Sequence, residues 1–252
     1  MTDLRPLILG SIIAAAAAVP AVAGHQSHHW SYSGNEGPSH WAQLEPGNAA
    51  CAAKSQSPIE IRTHDARATE LPALMFNYRP VPLRIVDNGH TIQVNYNPGS
   101  SLVVGGKRYE LVQFHFHRPS EEMVDGKRSA MVAHLVHRDA QGHLAVVAVR
   151  LRPGQENRLM ETLWRNLPKV KEKELARADV SINAASLLPK ALGYYAYNGS
   201  LTTPPCSEGV RWIVLKTPSE VSSREVEIFS ARYPDNARPV QPRNGRQVLS
   251  SK

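Results

Sequence analysis

The sequence predicts a β-dominated α+β protein: a single domain around a large, mainly antiparallel, mixed central sheet with a few surface helices. Three observations carry this. Apolar runs of strand length recur through the middle of the chain, and helical spacing occurs in only two stretches. Nineteen prolines and sixteen glycines are spread along 252 residues, marking many turns between short elements. No repeat or shift in composition divides the chain, so its length fits one domain.

The first residues read as a targeting segment. Arg5 marks a basic n-region, Leu7 to Val19 form an apolar run with five consecutive alanines, and Ala21-Val22-Ala23 supplies a small-residue cleavage site. Residues 1–23 are expected to be a signal peptide cleaved after Ala23, leaving 24–252 as a periplasmic or secreted domain. The apolar run is short for a transmembrane helix, so stable membrane insertion is not expected; the rival is an uncleaved N-terminal anchor. Export bears on the only two cysteines, Cys51 and Cys206. They lack Cys-x-x-Cys spacing, and an isolated pair in an oxidising compartment is expected to form one disulfide. Closing so long a loop is worth up to roughly 5 kcal/mol in the chain-entropy model.

His25, His28 and His29 then precede Trp30, Tyr32 and Trp41, which are interspersed with Gly34, Gly37 and Pro38. This is expected to be an irregular segment packing aromatics onto the core, and the three histidines are too few for a zinc-buffering tail. Strands follow. Thr91 to Tyr96 alternates, with Ile92, Val94 and Tyr96 on one face; Leu102 to Val104, Tyr109 to His117, Ala130 to His137 and Val210 to Leu215 continue the series. Leu144 to Leu151 opens with an unbroken apolar run, as expected of a central strand buried on both faces. Gly105-Gly106 and Asp125-Gly126 are hairpin-turn signals. Leu159, Met160, Leu163, Trp164 and Leu167 keep helical spacing until Pro168. Ser222-Ser223-Arg224-Glu225 has the form of a capping box before Val226 and Phe229, with Pro234 as the stop.

Chemistry concentrates in Gln113-Phe114-His115-Phe116-His117 and in His134. Side chains alternate along a strand, so Gln113, His115 and His117 share one face and the two phenylalanines take the other. Two imidazoles so placed, with a third histidine from a neighbouring strand, would make three protein ligands and leave one tetrahedral position for water. That open position distinguishes a catalytic zinc from a structural one. The net charge of +7 and pI near 9.5 suit anionic partners. No dense Lys/Arg run with interleaved aromatics supports nucleic-acid binding, which is not expected.

With these residues laid out, the chain resembles the α-class carbonic anhydrases, particularly the exported bacterial type, from His28 to Gln247. The resemblance lies in His29-Trp30-Ser31-Tyr32, Gly37-Pro38-Ser39-His40-Trp41, Gln56-Ser57-Pro58-Ile59, Asn88-Gly89-His90, Gln113 to His117, Pro119-Ser120-Glu121 and Ala133-His134-Leu135-Val136-His137. It closes with Gly199 to Val210 (Gly-Ser-Leu-Thr-Thr-Pro-Pro-Cys-Ser-Glu-Gly-Val) and Trp212. It implies reversible hydration of carbon dioxide to bicarbonate and a proton by zinc-hydroxide attack, with a histidine proton shuttle. Carbonic anhydrases are themselves the reference case for zinc lowering the pKa of its water to about 7.

The resemblance implies roles residue by residue. His115, His117 and His134 match the zinc ligands, and Gln113 the residue accepting from the first ligand's other nitrogen. Thr202 matches the threonine that orients the hydroxide and donates to a buried glutamate, here Glu121, while Thr203 contacts bicarbonate. Val136, Val146, Leu201 and Trp212 match the apolar wall that receives carbon dioxide. His90 matches the shuttle to a buffer acceptor, with Tyr32, Asn88 and Gln93 ordering the water between. The Cys51–Cys206 bridge would fasten the loop carrying Thr202. The Pro204-Pro205 pair is expected to stiffen that turn, a cis bond there being a family feature, and a homodimer is allowed by family analogy.

Two positions depart from the family. It usually has glutamate two residues before the third ligand, where this chain has Val132, and histidine after the gate glutamate, where this chain has Glu122. The expectation is a partial exchange in which Glu122 supplies the carboxylate that Val132 cannot. The alternative function is a non-catalytic carbonic-anhydrase-like binding or adhesion protein. Its usual signature, loss of a zinc histidine, is absent, and Thr202, Glu121 and His90 are also kept.

Overall fold

The computed structural model describes residues 29–252. The expected signal peptide, its cleavage point, His25 and His28 lie outside the described residues. Thirteen strands among the described residues join one mixed sheet, and two more form a separate parallel pair.

In chain order, β1 (Glu60–Ile61), β2 (Arg67–Thr69) and β3 (Leu74–Asn77) are short. β4 (Val81–Asp87), β5 (Ile92–Asn95) and β6 (Ser101–Val104) lead to the long β7 (Lys107–His117). After β8 (Met123–Val124) come β9 (Met131–Arg138) and β10 (Leu144–Pro153). The series ends with β11 (Leu175–Ile182), β12 (Tyr194–Ser200), β13 (Glu208–Leu215), β14 (Ser219–Val221) and β15 (Leu249–Ser251). The sheet runs β11-β4-β5-β7-β9-β10-β13-β12-β15-β2, with β14 on β10 and β6 joining β3 to β7. Pairing is antiparallel except at β10–β13, β10–β14 and β15–β2.

Each expected strand forms, within a residue or three of its expected ends. The apolar run of β10 is buried on both faces from Ala145 to Val149, which places it at the sheet's centre. β9 beside it is buried over Met131 to His137. Of the strands that carried no sequence signal, the three longest were hidden for identifiable reasons. β11 is an edge strand with charged residues and a bulge between Arg177 and Ser181. β4 contains Pro82, and β12 has no alternation because Tyr194 to Tyr197 are all buried. Gly105 and Gly106 (φ 61° and 74°), then Asp125 and Gly126 (φ 48° and 75°), all take the left-handed conformation that a two-residue hairpin turn needs.

Helices are few: α1 (Trp41–Leu44), α2 (Arg158–Arg165) and α3 (Ser223–Ser230). α2 buries Leu159, Met160, Leu163 and Trp164 and is capped by the Asn157 side chain. It stops at Arg165, before Leu167, because the residue ahead of Pro168 is kept out of helical geometry. The expected capping box of α3 is complete. Its Glu225 carboxylate also accepts the Asn157 amide at 3.1 Å, so one buried side chain ties the starts of both helices. No helix among the described residues is long and apolar enough to cross a membrane.

The two faces of the central strands do different work. Phe114, Phe116, Leu135, Val147 and Val149 point into the main core, against α2 and α3. Val132, Val136, Val146 and Trp212 form a second cluster on the opposite face, with Leu201 packed against it. Trp30 and Tyr32 pack on Trp41 and the joined Cys51–Cys206 pair. That disulfide lies beside the loop after β12, where Pro204-Pro205 is cis.

Candidate active site

Strand geometry assembles the cluster. Gln113, His115 and His117 line one face of β7, and the β7–β9 register sets His115 directly opposite His134. Nitrogens of His115, His117 and His134 all lie within 4.8 Å of one another. The opposite face of β7 is anchored by the fully buried Phe114 and Phe116, so the imidazoles project from a rigid base.

Each ring has one nitrogen committed. His115 Nδ1 donates to Gln113 Oε1, His117 Nδ1 to the Asn236 carbonyl and His134 Nε2 to Glu122 Oε1, each at 2.8 Å. All three partners are acceptors, which fixes the proton on those nitrogens and leaves lone pairs on His115 Nε2, His117 Nε2 and His134 Nδ1. Burial, then the charge of His134, pulls the pKa of His115 down to about 3, and the same influences hold His117 well below the usual range. Burial also opposes charge on His134, but the Glu122 carboxylate, its hydrogen bond and Glu121 together lift that ring above its ordinary value.

These residues fit a zinc ion. His117 Nε2 is buried and has no hydrogen-bond partner among the described residues, a costly state for a polar atom unless something else uses its lone pair. Three convergent imidazoles, with no fourth protein ligand among the described residues, match the donor set of a catalytic zinc centre.

Glu121 closes the cluster, with Oε2 at 3.5 Å from His117 Nε2 and 3.7 Å from His134 Nδ1. Its Oε1 accepts the Arg238 amide at 2.8 Å, and its Oε2 has no hydrogen-bond partner among the described residues. Burial raises the Glu121 pKa to about 7, against the lowering pull of His134, Thr202 and the Arg238 amide. Beside it an apolar row crosses three strands: Val136 on β9 pairs with Val146 on β10, which pairs with Trp212 on β13. Trp212 meets the His134 ring edge-on, centroids 4.9 Å apart. Thr202 is buried and Thr203 half-buried on the adjoining loop, where the Thr203 carbonyl accepts the Cys206 amide at 2.8 Å.

His90 stands apart from the imidazole cluster. Its ring stacks on Trp30, centroids 3.7 Å apart and planes 8° from parallel, with His29 at 5.5 Å. Burial, then His29, lowers its pKa, Glu172 opposes this, and Lys171 adds to the lowering. Asn88 holds the backbone of this turn, its Oδ1 accepting the amides of His90 and Thr91, and its Nδ2 reaches Gln93 at 3.4 Å. Gln93 sits opposite His115 on β5, and the Tyr32 hydroxyl is buried without a partner among the described residues.

Two residues at the site carried no sequence signal. Asn236 accepts from His117, donates through Nδ2 to the carbonyls of His90 and Phe116, and accepts the Arg118 amide. It thus joins a ring of the cluster to the turn bearing His90. Arg238, almost fully buried, holds Glu121 through its amide and Gln56, Ser57 and Cys51 through its guanidinium.

Residues 36–252 match the family model of the eukaryotic-type carbonic anhydrases. A carbonic anhydrase of Nostoc is 40% identical over 248 residues, covering 97% of this chain and 93% of that protein. The α-carbonic anhydrase of Thermovibrio ammonificans, solved with sulfanilamide, superposes with a TM-score of 0.85 at 45% identity, over 88% of this chain and 99% of that one. A hyperthermostable carbonic anhydrase from a hydrothermal vent chimney gives 0.84 at 45% identity, over 89% and 100%. With its fold, its histidine cluster and relatives that span it nearly end to end, the chain belongs to the α-carbonic anhydrase family.

Proposed function

We propose that the protein catalyses the reversible hydration of carbon dioxide to bicarbonate and a proton, using zinc held by His115, His117 and His134. The observation that carries it is that all three rings have their outer nitrogens tied to acceptors, which turns three lone pairs onto one point. Zinc bound there supplies a Lewis acid that makes a water nucleophilic near neutral pH.

The chain's own residues orient and receive. Ionised Glu121 only accepts, so the Thr202 hydroxyl commits its proton to Glu121 and offers its lone pairs to the nucleophile's proton. One direction of attack is thereby selected before substrate arrives. Carbon dioxide carries no charge, and the row of Val136, Val146 and Trp212, with Leu201, gives it an apolar resting place next to His134. Thr203 contacts the bicarbonate product. His90, at the rim and kept mostly neutral at pH 7, takes the proton outward and passes it to buffer. Tyr32, Asn88 and Gln93 line the polar side between His90 and the cluster.

We also propose export to the periplasm or medium. The leader-like residues 1–23 and the Cys51–Cys206 disulfide support that placement.

The test is stopped-flow carbon dioxide hydration by residues 24–252, with zinc measured on the same sample. One zinc per chain and activity lost on chelation are expected. One zinc per chain without hydration would overturn the assignment.

A further inference from the structure

The three cluster histidines are not held alike. Gln113 lies two residues before His115 on the same strand face and supplies its acceptor. The corresponding position two residues before His134 is Val132, which has no acceptor to give. Val132 is fully buried, opposite His117 on β7 and Arg150 on β10. His134 instead reaches out of its strand to Glu122, on the turn after β7, at 2.8 Å; both side chains are almost wholly excluded from solvent.

The backbone of the turn is pinned around Glu122, whose Oε2 has no hydrogen-bond partner among the described residues. Ser120 Oγ donates to the Glu122 carbonyl at 2.9 Å and accepts the Ser129 amide at 2.8 Å, while the Arg128 guanidinium donates to the Ser120 carbonyl at 2.5 Å. Glu122 is also the only charged partner among the three acceptors, since the other two are a carboxamide and a backbone carbonyl. A carboxylate on the far nitrogen of a ligand imidazole fixes its tautomer and raises its basicity toward a cation.

We propose that Glu122 is the positioning residue for His134, supplying from the turn after β7 the carboxylate that β9 lacks at Val132. The inference rests on the zinc reading above. It assigns to one turn the grip on the third ligand, and it makes positions 122 and 132 interdependent. A glutamate at 132 in the presence of Glu122 would add a third buried carboxylate beside Glu121 and Glu122, and like charges so close disfavour one another. With Glu122 removed, the same substitution would restore the lost acceptor. Val132→Glu should therefore weaken the grip on zinc when Glu122 is present and strengthen it when Glu122 is absent.

The experiment measures zinc release to a chromogenic chelator, and the visible spectrum of the cobalt(II) form, for five proteins: wild type, Glu122→Gln, Glu122→Ala, Val132→Glu and the double Glu122→Ala/Val132→Glu. Release from Glu122→Ala is expected to be about 10- to 100-fold faster than from wild type, the usual cost of losing such a partner. Glu122→Gln, the same shape without the charge, should fall between. Val132→Glu alone should also release zinc faster. The double variant should recover at least about tenfold over Glu122→Ala, with its cobalt bands moved back toward wild type. If Glu122→Ala fails to fold, the isosteric Glu122→Gln carries the comparison. Release within twofold of wild type from the Glu122 variants, or a double variant as fast as Glu122→Ala, would overturn the proposal. Zinc bound normally by wild type in such a case leaves the zinc reading standing, whereas a wild type that takes up no zinc overturns both.

Discussion

Two histidines on β9, three residues apart, are both buried to within about 1% of full exclusion, yet they differ in kind. His137 faces the main-core side. Its Nε2 pairs with the Tyr78 hydroxyl at 2.6 Å, its Nδ1 has no hydrogen-bond partner among the described residues, and burial lowers its pKa to about 4. His134 faces the opposite side, with Glu122 on one nitrogen, Glu121 near the other and two more imidazoles across the gap. A buried imidazole is thus not a site by itself. Its neighbours decide whether the remaining lone pair is stranded in packing or shared with a common point.

Exchanging each histidine breaks that comparison most sharply. His134→Ala should abolish stoichiometric zinc binding and reduce hydration to the uncatalysed level, since two remaining imidazoles leave the centre short of its third ligand. His137→Leu should keep both, and cost roughly 1–3 kcal/mol through the unpaired Tyr78 hydroxyl. Zinc content, initial rates and urea midpoints on the two variants decide it. Full zinc binding by His134→Ala, or loss of zinc in a folded His137→Leu, would erase the distinction.

The same contrast recurs one strand over, with a smaller expected effect. Val146 on β10 belongs to the apolar row beside His134, and Val147 faces the core between Leu135 and Ile213. Val146→Phe should lower kcat/KM by at least about tenfold by filling the space meant for substrate, with zinc retained. Val147→Ala should leave kcat/KM near wild type and cost roughly 1–3 kcal/mol as a core cavity. If Val146→Phe loses stability rather than activity, the row is ordinary core.

How legible these differences were depends on whether the signal is local. Period-two alternation alone puts Gln113, His115 and His117 on one face, and the apolar run of β10 betrays a buried centre. The Ser222 capping box and the Gly105-Gly106 turn are equally self-contained. Asn236 and Arg238 are not. They lie in an irregular segment after Pro234, and nothing periodic in Asp235-Asn236-Ala237-Arg238 says that it folds back onto His117 and Glu121, 119 and 117 residues earlier. Edge strand β11 was hidden because its charged residues interrupt the pattern that burial imposes elsewhere. The stacking of His90 on Trp30 is a contact between two loops, and loop-to-loop geometry leaves no imprint on spacing.

That stacked position gives the smallest and most specific effect. His90 must be neutral to accept a proton, so hydration at saturating substrate should rise with pH through its pKa. Burial and the neighbouring His29 hold that pKa below the ordinary 6.5, with Lys171 acting in the same direction and Glu172 against it. The midpoint of the kcat profile should therefore lie below 6.5. His29→Ala removes the neighbour 5.5 Å from the ring that lowers the His90 pKa, so His90 should keep its proton to higher pH and the midpoint should move up. Glu172→Gln removes a negative neighbour and should move it down. Both shifts should shrink as salt is raised, because the charges lie near the surface and are screened. Stopped-flow profiles in low and high salt would check the pair: midpoints that stay put in both variants would mean that a group other than His90 limits the transfer, and the contrast between a committed inner cluster and a tunable outer histidine would lose its outer half.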